Sequence, residues 1–234
     1  MCFYNQMKRI LCLLLLLPLL PCRGWGQTDS ICHEVLFQTS MGDIKVMLYN
    51  DTPRHRDNLL RLVRAGYYDG NLFHRVIARF MVQTGDSTTR HAQPKDTLGA
   101  YAPPYTLKAE INFPKRFHKR GALAAAREPD EVNPERESSS AQIYFVFGKR
   151  FNEDALDRVQ DRIATATQGK IVLPPEVRKY YCEHGGTPHL DGQYTVFGEI
   201  IEGLDVIERM HVVATDKHDR PLEDVRILHA TVVK

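Results

Sequence analysis

Residues 66–86, with the sequence GYYDGNLFHRVIARFMVQTGD, are the stretch around which the rest of the chain is interpreted. Within it, Phe73–Gln83 predicts two short β-strands. Gly66 is placed to end a helix that begins near Thr52, a candidate N-cap, with Pro53 as its first helical residue. The apolar stripe of this helix contains Leu59, Leu60, Leu62 and Val63. We therefore expect an amphipathic helix that caps a sheet and leads into a strand pair.

Alternating patterns on both sides of this stretch predict further strands. Upstream, Glu34–Thr39 and Asp43–Tyr49 alternate around a turn at Ser40-Met41-Gly42, which is typical of a β-hairpin. Downstream strands are predicted over Gly121–Ala126, Ala141–Phe147, Tyr194–Ile201 and Val225–Val233. Glu202–Met210 has apolar residues at helical spacing and predicts a second helix. Many short strands with two helices favour a mainly β fold, a closed β-barrel with helical caps.

One segment, residues 152–188, interrupts this rhythm of strands. A short helix there is indicated by the apolar residues Leu156, Val159 and Ile163. Pro174-Pro175 opens a second helical piece that continues through Tyr181. We interpret the segment as a partly helical insertion on a barrel loop, where extra chain length costs little free energy.

The composition is that of an ordinary globular protein. The 234 residues are 43% hydrophobic and 26% charged, which excludes disorder as the main state because the apolar surface is large enough to form a core. The formal net charge of +2 arises from mixed charges along the chain, whereas a nucleic-acid-binding protein usually concentrates Lys and Arg. We therefore expect no nucleic-acid partner.

The N-terminus has the pattern of a secretory signal peptide over residues 1–26. Lys8 and Arg9 precede an apolar run, Ile10–Leu20, which is too short to span a bilayer as a helix. Gly24-Trp25-Gly26 then supplies small residues at a cleavage site. We expect the mature chain to cover residues 27–234, to be periplasmic or secreted, and to have no stable membrane insertion once the signal is removed.

Cys22 supports a less favoured alternative, a lipoprotein anchored through this cysteine. The preceding Leu19-Leu20-Pro21 lacks the small residues expected before a lipid-modified cysteine. Cleavage after Gly26 therefore remains the first expectation.

Two cysteines, Cys32 and Cys182, remain in the mature chain. An exported protein could join them in a disulfide, or both could be free buried thiols, and the sequence leaves this open because it gives no distance between them. Cys182, His184 and His189 have irregular spacing and supply three potential ligands, so we expect no metal site.

Several sequence blocks, in this order, resemble the signature of the cyclophilin-type peptidyl-prolyl cis-trans isomerases. The blocks are residues 66–77, 80–86, 121–126, 140–145, 190–192 and 196–198. The resemblance extends from Val35 to Val233 and excludes the insertion. It implies an eight-stranded antiparallel β-barrel capped by two α-helices, in agreement with the strand and helix pattern.

The resemblance also implies the site residues. Arg75 takes the place of the catalytic arginine. The expected substrate-binding residues are Phe80, Met81, Gln83, Ala126, Arg127, Gln142, Tyr144, His189, Leu190 and Tyr194. Three of them depart from the family pattern. The family often has Phe where this chain has Tyr144, a large apolar residue where it has His189, and Asn where it has Arg127.

These residue types suit rotation about an Xaa-Pro bond, whose barrier is about 18–20 kcal/mol. No covalent bond breaks, so neither a nucleophile nor a cofactor is expected. Arg75 can donate to the imide nitrogen of the twisted amide, and Gln83 and Gln142 can orient Arg75 and the peptide. Taken alone, Arg75 could instead pair with a carboxylate such as Glu110. His74 is expected to be a hydrogen-bonded structural histidine, because isomerisation transfers no proton.

The resulting prediction is an exported peptidyl-prolyl cis-trans isomerase that acts on proline-containing polypeptides and assists their folding, as a monomer. Uncatalysed isomerisation takes tens of seconds, which is long enough to limit folding. The alternative is a chaperone module that binds proline-containing segments with little or no turnover, an idea motivated by His189, Arg127 and the insertion.

Overall fold

The computed structural model describes residues 33–93 and 96–234. The predicted signal peptide and Cys32 lie outside these residues, so cleavage after Gly26 stays a prediction, and Cys22 acylation and a Cys32–Cys182 disulfide stay open. The described strands are β1 His33–Thr39, β2 Gly42–Leu48, β3 Arg75–Ile77, β4 Met81–Thr84, β5 Thr106–Leu107, β6 Ala122–Ala125, β7 Ser138–Ser139, β8 Ile143–Val146, β9 Val196–Glu202 and β10 Ile227–Val232. The described α-helices are α1 Pro53–Arg64, α2 Glu153–Thr167, α3 Pro175–Glu183 and α4 Leu204–Met210.

Eight of these strands form one curved antiparallel sheet in the order β10-β1-β2-β9-β6-β8-β4-β3, and β5 pairs with β7. This confirms the mainly β prediction with its eight antiparallel strands. Within the described residues, β3 and β10 share no ladder. An isolated bridge between Leu72 and Arg226 and a hydrogen bond from Phe73 N–H to Val225 O (2.8 Å) join their flanking segments. Closure into a complete barrel therefore stays a prediction.

The main hydrophobic core lies on the inner face of the sheet. Val35 and Phe37 of β1 are fully buried there, and the Phe37 and Phe145 rings meet edge to face with centroids 5.7 Å apart. The buried faces of α1 and α4 complete this core, so these two helices are the predicted caps. Full burial of each large apolar side chain stabilises the fold by about 1.5–3 kcal/mol.

The two ends of α1 differ in how well the sequence predicts them. Gly66 ends the helix as predicted. Its φ of +65° allows its N–H to donate to Val63 O and the N–H of Tyr67 to donate to Leu62 O. Thr52 occupies the N-cap position, but the prediction that its side chain caps the helix is wrong, since its hydroxyl donates to Tyr49 O at 3.3 Å. The first-turn amides instead donate to a distant carboxylate described below.

The insertion forms a small core of its own. Helix α2 has 15 residues, so it is longer than the short helix predicted, and Asn152 caps it through a 2.9 Å bond from Ala155 N–H to its Oδ1. Arg178 of α3 binds Asp157 of α2 at 2.7 Å. Buried residues of this core are Leu156, Val159, Ile163, Leu173, Val177 and Tyr181. Among the described residues, no helix is long and apolar enough to cross a membrane.

Candidate active site

A pocket of about 150 Å³ opens on the outer face of the sheet, and we call it the outer-face pocket. Its lining consists of Arg75, Phe80, Met81, Gln83, Ala126, Arg127, Tyr144, Leu190 and Tyr194. The structure thus brings together nine of the eleven residues that the sequence singled out. The other two, Gln142 and His189, lie beside the pocket and not in its lining.

Strand register explains why these side chains meet. Arg75 pairs with Gln83 across β3 and β4, and Gln83 pairs with Tyr144 across β4 and β8. Directly opposed residues of neighbouring strands project from the same face of a sheet. The alternate positions, such as Val82 and Phe145, are fully buried in the inner core. Because side chains alternate between the two faces of each strand, the same strands supply both the inner core and the outer-face pocket.

Arg75 stands at the rim of the pocket with its side chain 45% exposed. Its Nε donates to Oδ2 of Asp219 at 3.3 Å, and the backbone N–H of Val76 donates to Asp219 O at 2.8 Å. The suggestion of Glu110 as partner is wrong. Exposed ion pairs contribute about 0–1 kcal/mol, so Asp219 orients Arg75 without holding it strongly.

The Glu110 carboxylate caps the N-terminus of helix α1. Its two oxygens accept from the N–H groups of Arg54 and His55, each at 3.1 Å, and Oε2 also contacts the His55 ring at 2.7 Å. A carboxylate is favoured at a helix N-terminus by the unpaired amides and the helix dipole. Burial lowers the pKa of His55.

Gln83 and Gln142 form a short chain of hydrogen bonds beside Arg75. Gln83 Nε2 donates to Gln142 Oε1 at 2.8 Å, and Gln142 Nε2 donates to Gly99 O at 2.8 Å. Gln142 is therefore a buried support for Gln83, and the Gln83 amide is engaged with Gln142 where an interaction with Arg75 was expected.

The floor of the pocket is apolar. Met81 and Tyr144 are buried, and the rings of Tyr144 and Tyr194 meet edge to face at 6.2 Å. Arg127 covers Tyr194, with its guanidinium carbon 4.4 Å from the ring centroid, and binds Asp130 at 2.6 Å. The Arg127 side chain is thus committed to the pocket wall.

A buried polar chain lies behind Tyr144. Its hydroxyl is 3.0 Å from His118 Nε2, and His118 Nδ1 lies 2.8 Å from Asp191 Oδ1. The other oxygen of Asp191 accepts from the hydroxyl of Tyr181 at 2.6 Å. Burial raises the pKa of Tyr144 and of Tyr181 well above the usual value, so both hydroxyls stay protonated.

Sequence reasoning missed this chain of four residues. Asp191 stands in one of the motif blocks, but His118 lies 73 residues earlier and Tyr181 belongs to the insertion. The chain connects α3 of the insertion to the floor of the outer-face pocket. We refer to it below as the tyrosine–histidine chain.

Two further histidines lie near the pocket, of which His74 is buried and His189 is exposed. His189 packs on Phe80 with ring centroids 5.3 Å apart, and partial desolvation of its ring by neighbouring atoms lowers its pKa to about 4. His74 is also buried with a pKa of about 4. Among the described residues, neither ring nitrogen of His74 has a hydrogen-bond partner, so the prediction of a hydrogen-bonded histidine is wrong. Its neutral ring serves packing.

Comparisons with known proteins agree with this arrangement. Residues 34–232 match the family described as Cyclophilin type peptidyl-prolyl cis-trans isomerase/CLD. Peptidyl-prolyl cis-trans isomerase-like 1 of Aspergillus fumigatus is 32% identical over 202 residues, which cover 86% of this chain and 96% of that protein. Peptidyl-prolyl cis-trans isomerase CYP71 of Arabidopsis thaliana is 29% identical over 90% of this chain, which spans 26% of that longer protein.

Solved structures share the fold. A crystal structure of a cyclophilin type peptidyl-prolyl cis-trans isomerase from Cryptosporidium parvum, determined in the presence of the dipeptide Ala-Pro, matches with a TM-score of 0.59. The match covers 86% of this chain and 99% of that one, at 21% sequence identity. At this identity the likeness establishes the architecture.

Proposed function

The chain belongs to the family of cyclophilin-type peptidyl-prolyl cis-trans isomerases, and from this premise we propose that it isomerises Xaa-Pro bonds in the outer-face pocket, with Arg75 as the catalytic residue. The observation that carries this proposal is the position of one exposed guanidinium at the rim of a pocket with an apolar floor. The Cryptosporidium relative, studied with Ala-Pro, supports a proline-containing polypeptide as substrate.

Arg75 lowers the barrier by binding the twisted amide better than either planar isomer. In the twisted state the imide nitrogen gains lone-pair character and accepts a hydrogen bond. The Nε of Arg75 is directed by Asp219, and its two Nη groups carry the remaining donors of the rigid guanidinium fork. These donors face a ligand in the pocket, where a charge-assisted bond forms in the transition state.

The apolar floor holds the proline ring while the rest of the peptide turns. Met81, Tyr144 and Leu190 line this floor, and burial of an apolar ring stabilises the complex by about 1.5–3 kcal/mol. Tyr144 can serve where the family often has Phe, because its hydroxyl is bound to His118 behind the pocket. The ring therefore contributes an apolar surface without an unpaired polar group.

The client proteins are proposed from the N-terminal pattern. The cationic and apolar residues within the first 26 positions favour export to the periplasm or secretion, and the clients would then be exported proteins that contain proline. Uncatalysed isomerisation takes tens of seconds. As a monomeric isomerase, the protein would therefore accelerate the folding of these clients.

One experiment separates catalysis from simple binding. The protein is titrated into an Ala-Pro peptide while NMR records both the chemical shifts and the rate of cis-trans exchange. We expect accelerated exchange at catalytic amounts of protein. Shift changes at stoichiometric amounts without accelerated exchange would contradict isomerisation and favour the proline-binding chaperone module.

A further inference from the structure

A second cavity lies beside the outer-face pocket and is larger, about 550 Å³. We call it the basic cleft. One wall comes from the turn around Arg79 and from Lys149, and the other comes from α2 of the insertion. Its lining residues are Ile77, Ala78, Arg79, Phe80, Lys149, Phe151, Ala155, Arg158, Val159, Arg162, Gly186, Thr187 and His189.

The cleft is continuous with the outer-face pocket. Phe80 lines both, and His189 packs on Phe80 from the side of the cleft. A polypeptide that leaves the outer-face pocket over Phe80 therefore enters the basic cleft.

In the part of the chain that the structure describes, four cationic side chains of the cleft have no anionic partner. Arg79, Lys149, Arg158 and Arg162 are all exposed, and the cleft lining contains no Asp or Glu. Within the described residues none of the four forms an ion pair, whereas Arg178 on the neighbouring helix binds Asp157 at 2.7 Å.

The position of these cations concentrates positive charge in the cleft. Arg158 and Arg162 are four residues apart on α2, so they are neighbours on one helix face and repel each other. Partial desolvation of the His189 ring, together with nearby positive charges that include Arg162 and Lys149, lowers its pKa to about 4. An anionic ligand would relieve the repulsion.

The cleft also offers apolar and polar contacts. Phe80, Phe151 and Val159 provide apolar surface. Thr187 is 2% exposed, and among the described residues its buried Oγ1 has no hydrogen-bond partner. Apolar surface, an unpaired hydroxyl and four cations together fit a peptide better than a small inorganic anion.

We propose that the basic cleft binds an acidic segment of the same polypeptide whose proline occupies the outer-face pocket. The proposal rests on the proposed function and adds a substrate preference to it: Xaa-Pro sites flanked by Asp or Glu are turned over more efficiently than neutral sites. The insertion is thereby a substrate-selecting element.

The test uses pairs of Ala-Pro peptides that differ in flanking residues, Asp and Glu in one peptide and Asn and Gln in the other. The acidic residues are placed before the proline in one pair and after it in a second pair. Catalysed exchange is measured by NMR for the wild-type protein. We expect kcat/KM to be about tenfold higher for the acidic peptide of at least one pair, and this ratio to fall as salt is raised from about 0.05 to 0.5 M.

The charge variant Arg158→Gln/Arg162→Gln is expected to bring the acidic-to-neutral ratio close to one. The control Arg64→Gln/Lys108→Gln removes two exposed cations outside the cleft lining and should keep the wild-type ratio. If the wild-type protein catalyses exchange without a preference for acidic peptides, the proposed role of the basic cleft is overturned and the proposed isomerase function is not. An equal loss of preference in both double variants would also overturn it, as a general charge effect. No exchange with any peptide would overturn the proposed function itself.

Discussion

The outer-face pocket and the basic cleft are neighbours that share Phe80, yet they are built in different ways. The pocket is formed largely by paired strands, its floor is buried and it contains one cation at its rim and another in its wall. About half of the lining residues of the cleft belong to the insertion, its cations are exposed, and of the sheet strands only the end of β3, at Ile77, contributes to it among the described residues. Under the two proposals, the sheet fixes the geometry of the catalytic pocket and the insertion selects the substrates that bind.

The tyrosine–histidine chain is the link between these two regions. Tyr181 on α3 binds Asp191, and His118 continues the chain to the hydroxyl of Tyr144 in the pocket floor. A change in the insertion can therefore reach the pocket through hydrogen bonds as well as through the basic cleft.

The largest expected effect is on the free energy of unfolding, at a residue of the inner core directly beneath the outer-face pocket. Phe145 is fully buried between Phe37 and Phe73, so Phe145→Ala should lower the free energy of unfolding by about 3–5 kcal/mol. Denaturant unfolding measures this. The exposed control Val132→Ala should change stability by less than about 0.5 kcal/mol. A small loss for Phe145→Ala would contradict a pocket supported by the sheet core.

The next effect concerns the pH dependence of stability and two histidines, His74, which precedes β3, and His189, which lines the cleft. Both have a pKa of about 4 in the folded protein, below the ordinary value of 6.5, because burial of His74 and partial desolvation of the more exposed His189 disfavour the charged ring. The unfolded chain therefore binds more protons between these values. Stability should fall as pH is lowered from 6.5 to 4, by up to about 1.4 kcal/mol per pH unit for the buried His74 and by less for His189, whose exposed ring is screened by solvent.

The measurement is the free energy of unfolding at several pH values for the wild-type protein, His74→Phe and His189→Phe. Each variant should show a shallower pH dependence than the wild type. The variant His218→Gln, at an exposed position, is the control and should follow the wild-type curve. Identical curves for all four proteins would mean that neither histidine is held neutral.

A smaller effect tests the link between the two regions. Tyr181→Phe removes the donor to the buried Asp191 carboxylate and should destabilise the protein by about 1–3 kcal/mol. It should also raise KM for an Ala-Pro peptide more than it lowers kcat, because the pocket floor is less firmly positioned. Tyr180→Phe is the matched control on the same helix. Equal effects of the two variants would argue against the tyrosine–histidine chain.

The smallest effect is expected at the exposed pair of Arg75 and Asp219. Asp219→Asn should change the free energy of unfolding by less than about 1 kcal/mol. Turnover should fall about two- to fivefold, which corresponds to up to about 1 kcal/mol in the barrier. The peptide exchange assay measures this, and a loss as large as that of Arg75→Ala would mean that Asp219 has a greater role than orientation.

The sequence predicted the local elements well because their signals are local. The alternation in residues 34–49 and the glycine at position 66 each act within a few residues of where they stand. The family resemblance also identified nine residues that line one pocket. Strand register, which follows from the same alternation, brings them to one face.

The remaining features could not be predicted because they depend on distant partners. Glu110 accepts hydrogen bonds from the start of a helix more than 50 residues earlier, and Asp219 is 144 residues from Arg75. No spacing rule connects such positions. The unpaired state of the cations in the basic cleft likewise depends on where the insertion packs, which its helical pattern alone does not specify.

The most direct test of the central claim compares wild-type protein with Arg75→Ala and Arg75→Lys in NMR exchange and peptide titration. Loss of the guanidinium should lower kcat/KM about 100-fold, equivalent to about 2.7 kcal/mol, while peptide affinity changes only a few-fold. Lysine should restore little, because it lacks the planar fork. Exchange at the wild-type rate in Arg75→Ala would contradict the account.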